Sequence, residues 1–235
     1  MGRIPILAAL GTALAAPVPA AELAAVMQVH LTPRGVAGEA GCTRKARINL
    51  PPAWRTGDAV VVLLTDEPLR DATRDPLVAT LFLENAAVLA VSPGTPAVCV
   101  EDAPGASQSP GAPDALDMLF GGLVAARQEA GGGLVVAIGY GPGSAIALAA
   151  GEEGEAAARL GQDTPRFAAA LALGDGAPAA RRGGPQAAAE RSDERLGLLC
   201  AALARSGVGW GAASAPTCIA ALGAEPRRTA LRHGP

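Results

Sequence analysis

An α/β fold, with a doubly wound, mostly parallel sheet flanked by helices, is what the sequence predicts, and three observations carry it. Short apolar runs recur at residues 59–64 (AVVVLL), 87–91 (AVLAV), 134–138 (LVVAI) and 167–173 (FAAALAL), each of the kind that a parallel sheet buries on both faces. Helical patterns stand between them, and strand and helix in alternation build a sheet with helices on both sides. Residues 131–151, GGGLVVAIGYGPGSAIALAAG, then join a buried strand, a glycine turn and a small-residue helix in one unit.

In chain order, residues 25–31 (AVMQVHL) and 42–50 (CTRKARINL) alternate or carry β-formers around a Pro-Arg-Gly turn and a glycine-rich segment, and predict an antiparallel hairpin. Residues 50–57 (LPPAWRTG) break the pattern before the central strand 59–64. A helix is expected over 75–85, with Asp75 as N-cap and Pro76 in its first turn, and the strand 87–91 follows it. Residues 92–113 are rich in Pro, Gly and Ser, which predicts one long irregular loop. Leu116, Leu119, Phe120, Leu123 and Val124 recur at helical spacing within 113–129, an amphipathic helix that feeds the strand 134–138. After the helix 144–150, Glu152, Glu153 and Glu155 predict a solvated end. The strand 167–173 closes at Gly174-Asp175-Gly176, and residues 177–184 read as loop. Residues 186–205 predict a helix with Leu196, Leu199, Cys200 and Leu203 inward, and a short helix near 216–222 completes the chain.

Residues 1–20 carry Arg3, an apolar stretch and a small-residue cleavage signal at Val18-Pro19-Ala20, the pattern of a secretory signal peptide. Cleavage near Ala20 leaves about 215 residues, enough for a single domain over 21–235. The expected compartment is therefore extracellular or periplasmic, with no membrane span. The formal charge of −3, or −4 once Arg3 is removed, gives no electrostatic case for nucleic acid or anionic lipid as a partner. Four cysteines form an even set in an oxidising compartment. Three pairings are open, and Cys42–Cys99 with Cys200–Cys218 is the favoured one. There is no C-x-x-C, and His30 and His233 are the only histidines, so no metal or cofactor is expected.

Three pieces resemble the α/β-hydrolase superfamily, and within it the secreted dienelactone-hydrolase type. They are Ile48-Asn49-Leu50-Pro51-Pro52-Ala53-Trp54 ahead of a β-rich run, the helix-to-strand approach of residues 113–138, and the turn Gly139-Tyr140-Gly141-Pro142-Gly143 with the helix behind it. That turn has the G-x-S-x-G spacing of the nucleophile elbow. The resemblance covers roughly residues 48–173 and implies an α/β-hydrolase-like sheet with a reduced C-terminal part. It also implies chemistry that these residues do not supply. The nucleophile position is Gly141, and Thr65-Asp66 stands where the family has His-Gly beside its oxyanion hole. Val208-Gly209-Trp210 stands where a His-Gly-Trp motif would carry the base. A triad needs nucleophile, base and orienting acid within hydrogen-bond reach.

Other residues form no constellation. Ser144 lies three positions past the nucleophile site and is expected to bond backbone at a helix N-terminus. His233 has no strand or loop to present it, His30 belongs to the hairpin, and Asp175 sits in a turn. The sequence thus predicts an exported α/β-hydrolase-fold protein that has lost serine-hydrolase catalysis. Its strand-end rim, Thr65, Asp66, Gly139, Tyr140, Gly141, Pro142 and Gly143, would bind a small-molecule ligand or a partner. Two alternatives stay open: an active carboxylic-ester or dienelactone-type hydrolase with another nucleophile, and a dinucleotide-binding protein. The second rests on Gly139-x-Gly141-x-x-Ser144, which approximates a phosphate-binding turn; Pro142 removes one of its amide donors.

Overall fold

The structure is a computed structural model that describes residues 25–65, 74–92, 99, 114–173 and 194–205. Six strands, β1 (Ala25–Leu31), β2 (Arg44–Leu50), β3 (Ala59–Leu64), β4 (Ala87–Val91), β5 (Leu134–Tyr140) and β6 (Ala169–Leu173), form one sheet in the order β1-β2-β4-β3-β5-β6. The β1–β2 hairpin is antiparallel and joins β4 antiparallel, whereas β4, β3, β5 and β6 run parallel. All six residues of β3 are buried, because β3 is flanked by strands on both sides and by helices on both faces.

Two apolar layers show the double winding directly. Val60, Val62, Leu64, Leu89, Val135 and Ala137 pack toward α2 (Ala115–Gln128), α3 (Ser144–Ala150) and α4 (Glu153–Leu160). The intervening residues Val61, Leu63, Val88, Val136, Ile138 and Leu171 face α1 (Arg74–Leu83) and α5 (Glu194–Arg205). This alternation is the two-residue period of a strand read on a sheet with both faces covered.

Most expected elements are present, with shifted edges. β2 starts at Arg44 rather than 42, and β6 at Ala169 rather than 167. Asp75 is not an N-cap, because α1 already includes Arg74. That helix ends at Leu83, and Asn85 follows in the left-handed region at φ 55°, a conformation that stops a helix and that Asn tolerates. β5 is two residues longer than predicted: Gly139 and Tyr140 stay in the strand, because β6 pairs with them through Ala172 and Leu173.

Glu152 and Glu153 are exposed, as expected, but Glu153 and Glu155 also open a helix, α4, that the sequence did not predict. Its Arg159 is 7% exposed, donates through Nε to Asp117 Oδ1 at 2.8 Å, and also bonds the Glu155 carboxylate. The same guanidinium lies 5.7 Å from the centroid of the Phe120 ring. The α4 helix is thus tied to α2 by long-range contacts.

Cys42 and Cys99 form a disulfide, as favoured, across a separation of 57 residues. Cys200 is fully buried and disulfide-bonded as well; its expected partner Cys218 lies outside the described residues. So do residues 1–20, expected as a signal peptide, most of residues 92–113, expected as a loop, residues 186–193, expected to open the last long helix, Asp175, Val208-Gly209-Trp210, residues 216–222, expected as a short helix, and His233. Among the described residues, no helix is long and apolar enough to cross a membrane.

Candidate functional site

The carboxyl ends of the parallel strands share one rim, the side of an open α/β sheet where ligands bind. Thr65 follows β3, and Ser92 follows β4. Their hydroxyls meet at 2.9 Å, and the Thr65 amide donates to the Val91 carbonyl at 3.0 Å. Thr65 is 1% exposed, so its hydroxyl and amide both serve to tie two strand ends together. Asp66 lies outside the described residues. Next to this pair, Leu64 lies opposite Gly139 in the ladder between β3 and β5.

From Gly139 to Ser144 the chain makes the sharp strand-to-helix turn that the spacing predicts. Tyr140 ends β5 in extended backbone, Gly141–Gly143 make a single tight turn, and α3 follows at once. Of the outer two glycines, packing requires Gly139 and crowds Gly143. A Cβ on Gly139 would overlap the Gly143 carbonyl and lie 2.7 Å from the Ala147 Cβ. A Cβ on Gly143 would stand 3.2 Å from the Leu64 side chain. Between them, Gly141 has φ 56°, and a Cβ built on it meets nothing within 4 Å. The turn therefore has an open middle position, and Gly141 places hydrogen there.

Ser144 is not placed to act as a nucleophile. It is fully buried, and its hydroxyl donates to the carbonyls of Gly139 and Leu173, each at 3.2 Å. This bond pattern locks the elbow to the end of β6 and leaves the oxygen no face toward solvent. It fits the expected role of a helix-terminal serine bonding backbone.

Pro142 carries a consequence that the sequence reading of the catalytic positions missed. In a hydrolase elbow the residue after the nucleophile contributes its N–H to the oxyanion hole, and proline has none. The signal was in plain view as the fourth letter of GYGPG. Gly141 thus offers no side chain and Pro142 no N–H at the two positions where the resemblance expects a nucleophile and an oxyanion donor. The same proline leaves a phosphate one amide short, as the dinucleotide alternative already recognised.

The structure brings together Thr65, Gly139, Tyr140, Gly141, Pro142 and Gly143 and leaves His30 apart. His30 lies on the edge strand β1, separated from β5 by β2, β4 and β3, with its ring nitrogen Nδ1 3.3 Å from Glu129. Among the described residues no group of His, Cys, Asp and Glu is arranged to hold a metal.

No protein-family model and no curated protein sequence matches this chain. Among solved structures it is similar to the esterase domain of a Rhodothermus marinus protein, at 19% identity and a TM-score of 0.35 over 54% of this chain and 45% of that one. It is also similar to an esterase of Pyrococcus furiosus, at 15% and 0.38 over 56% and 48%. A third is an α/β serine hydrolase without a lid from Xanthomonas campestris, at 12% and 0.32 over 52% and 54%. The chain spans about half the length of the solved structures it matches.

Proposed function

We propose that this chain is an exported α/β-hydrolase-fold protein without serine-hydrolase chemistry at its elbow, and that its strand-end rim binds a small molecule. The observation that carries the reading is the middle of the turn. Gly141 sits at φ 56° beneath open space, and Pro142 behind it has no N–H to offer an oxyanion. Electrostatic stabilisation by such donors is commonly the largest catalytic contribution in acyl transfer, so loss of donor and nucleophile together removes the chemistry twice. Tyr140, Gly141 and Pro142, which keep exposure to solvent, form the surface proposed to receive the ligand, and the buried Thr65 and Gly143 support it from beneath. The Cys42–Cys99 disulfide supports export, because such bonds persist in oxidising compartments.

The test exposes the purified protein to a fluorophosphonate probe and to p-nitrophenyl acetate, with intact mass as the readout. Neither adduct nor turnover is expected. A covalent adduct would overturn the proposal in favour of an ester hydrolase whose serine lies away from the elbow. Gly141→Ser is expected to remain inactive toward the same ester, since Pro142 still withholds the amide; turnover from that single change would show that the elbow is otherwise complete.

A further inference from the structure

β1 is an edge of the sheet: among the described residues it pairs with β2 alone. In an antiparallel pair, residues whose backbone groups bond the neighbour alternate with residues whose groups point away. The His30 amide points away from β2, because it donates to the Glu129 carboxylate, 3.1 Å to Oε1 and 3.0 Å to Oε2. Alternation puts Gln28 and Val26 in the same outward row. Such a row is a template for another strand, and proteins blunt it with proline, lysine or a covering segment. Val26, Gln28 and His30 include neither proline nor lysine, and Val26 is 58% exposed.

What meets the row is a carboxylate in an unfavourable place. Glu129 is the C-cap of α2, where the exposed carbonyl ends of a helix favour a cation and disfavour an anion. Its contacts with His30, two from the amide and one from ring Nδ1 at 3.3 Å, offset that penalty and join residues 99 apart in sequence.

We propose that Glu129 guards this edge: its carboxylate occupies the His30 amide that a second copy of the chain would need in order to pair its own β1, antiparallel, against β1. The excluded occupant is a second copy because the outward row is self-complementary. Antiparallel pairing about Gln28 sets Val26 against His30 and Gln28 against Gln28, so no like charges face each other across the two-fold axis. The formal charge of −3 on 235 residues adds little mutual repulsion.

The test is the solution mass of the purified protein, by light scattering after size exclusion, for four forms at one concentration. Wild type and Glu129→Gln, whose amide oxygen still accepts from His30, run as monomers. Glu129→Ala doubles in mass, and adding Gln28→Pro returns it to the monomer by deleting an edge N–H. Circular dichroism checks that each form is folded, and amide exchange in the wild type gives a reading that needs no variant, with the His30 amide slow beside a fast Gln28. A wild-type dimer, a monomeric Glu129→Ala, a dimer indifferent to Gln28→Pro, or a His30 amide that exchanges as fast as Gln28 overturns the proposal.

Discussion

Glycines bound β5 at both ends, and the two ends use them differently. Where the strand begins, every position is filled. A Cβ on Gly131 would lie 2.6 Å from Thr56 Cγ2, one on Gly132 would lie 2.7 Å from Val60 Cγ2, and one on Gly133 would overlap the Gly57 carbonyl. Where the strand ends, Gly139 is enclosed in the same way, Gly143 is in tight contact with Leu64 at 3.2 Å, and Gly141 stands free between them. In the first cluster the Gly57 backbone explains Gly133, and the Thr56 and Val60 side chains explain Gly131 and Gly132. The second contains one glycine that packing does not require, held only by its left-handed φ. The contrast shows that a side chain at Gly141 would meet no neighbour within 4 Å, whereas one at Gly139 would meet backbone.

The largest effect that would break this contrast comes from the enclosed glycines. Gly133→Ala and Gly139→Ala each drive a methyl into backbone, and each is expected to cost about 3 kcal/mol, at the upper end of overpacking penalties. Urea denaturation of the purified variants measures it, and a loss near zero would mean that the backbone yields and the enclosure is not real. Ser144→Ala comes next. It strips a buried hydroxyl from two carbonyls and is expected to cost roughly 1–2 kcal/mol in the same assay, because the acceptors stay buried without a donor. Gly141→Ala gives the smallest loss, about 1 kcal/mol for a left-handed alanine, and Gly141→Asn should fall to roughly 0.5 kcal/mol because Asn tolerates that region. A Gly141→Ala penalty equal to that of Gly139→Ala would show that the open position is in fact filled.

The parallel core was legible because its strands are buried on both faces and read as continuous apolar runs. Residues 59–64 and 87–91 were bounded from sequence as the structure has them. The end of β5 was not, since Gly139 and Tyr140 read locally as turn and are held in the strand by a partner some thirty residues later. Helix α4 was illegible for a related reason: its sequence, EGEAAARL, is polar, and the contacts of Arg159 with Asp117 and Phe120 lie far off in the chain. At the rim, the identity of the residue in the elbow could be read directly, whereas its freedom from contact could not. Spacing carries no information about which of three glycines touches something. The left-handed Asn85 likewise became visible only as a backbone angle.

The strand order also sets a schedule for assembly. β1, β2, β4 and β3 are contiguous in the sheet and are all made from residues before position 92, and the covalent bond between Cys42 and Cys99 closes within the first hundred residues. The one insertion of a strand between two others, β4 between β2 and β3, belongs to this early block. A chain emerging from its N-terminus can therefore complete and cross-link four strands before the elbow exists, and β5 and then β6 dock in turn on the free side of β3.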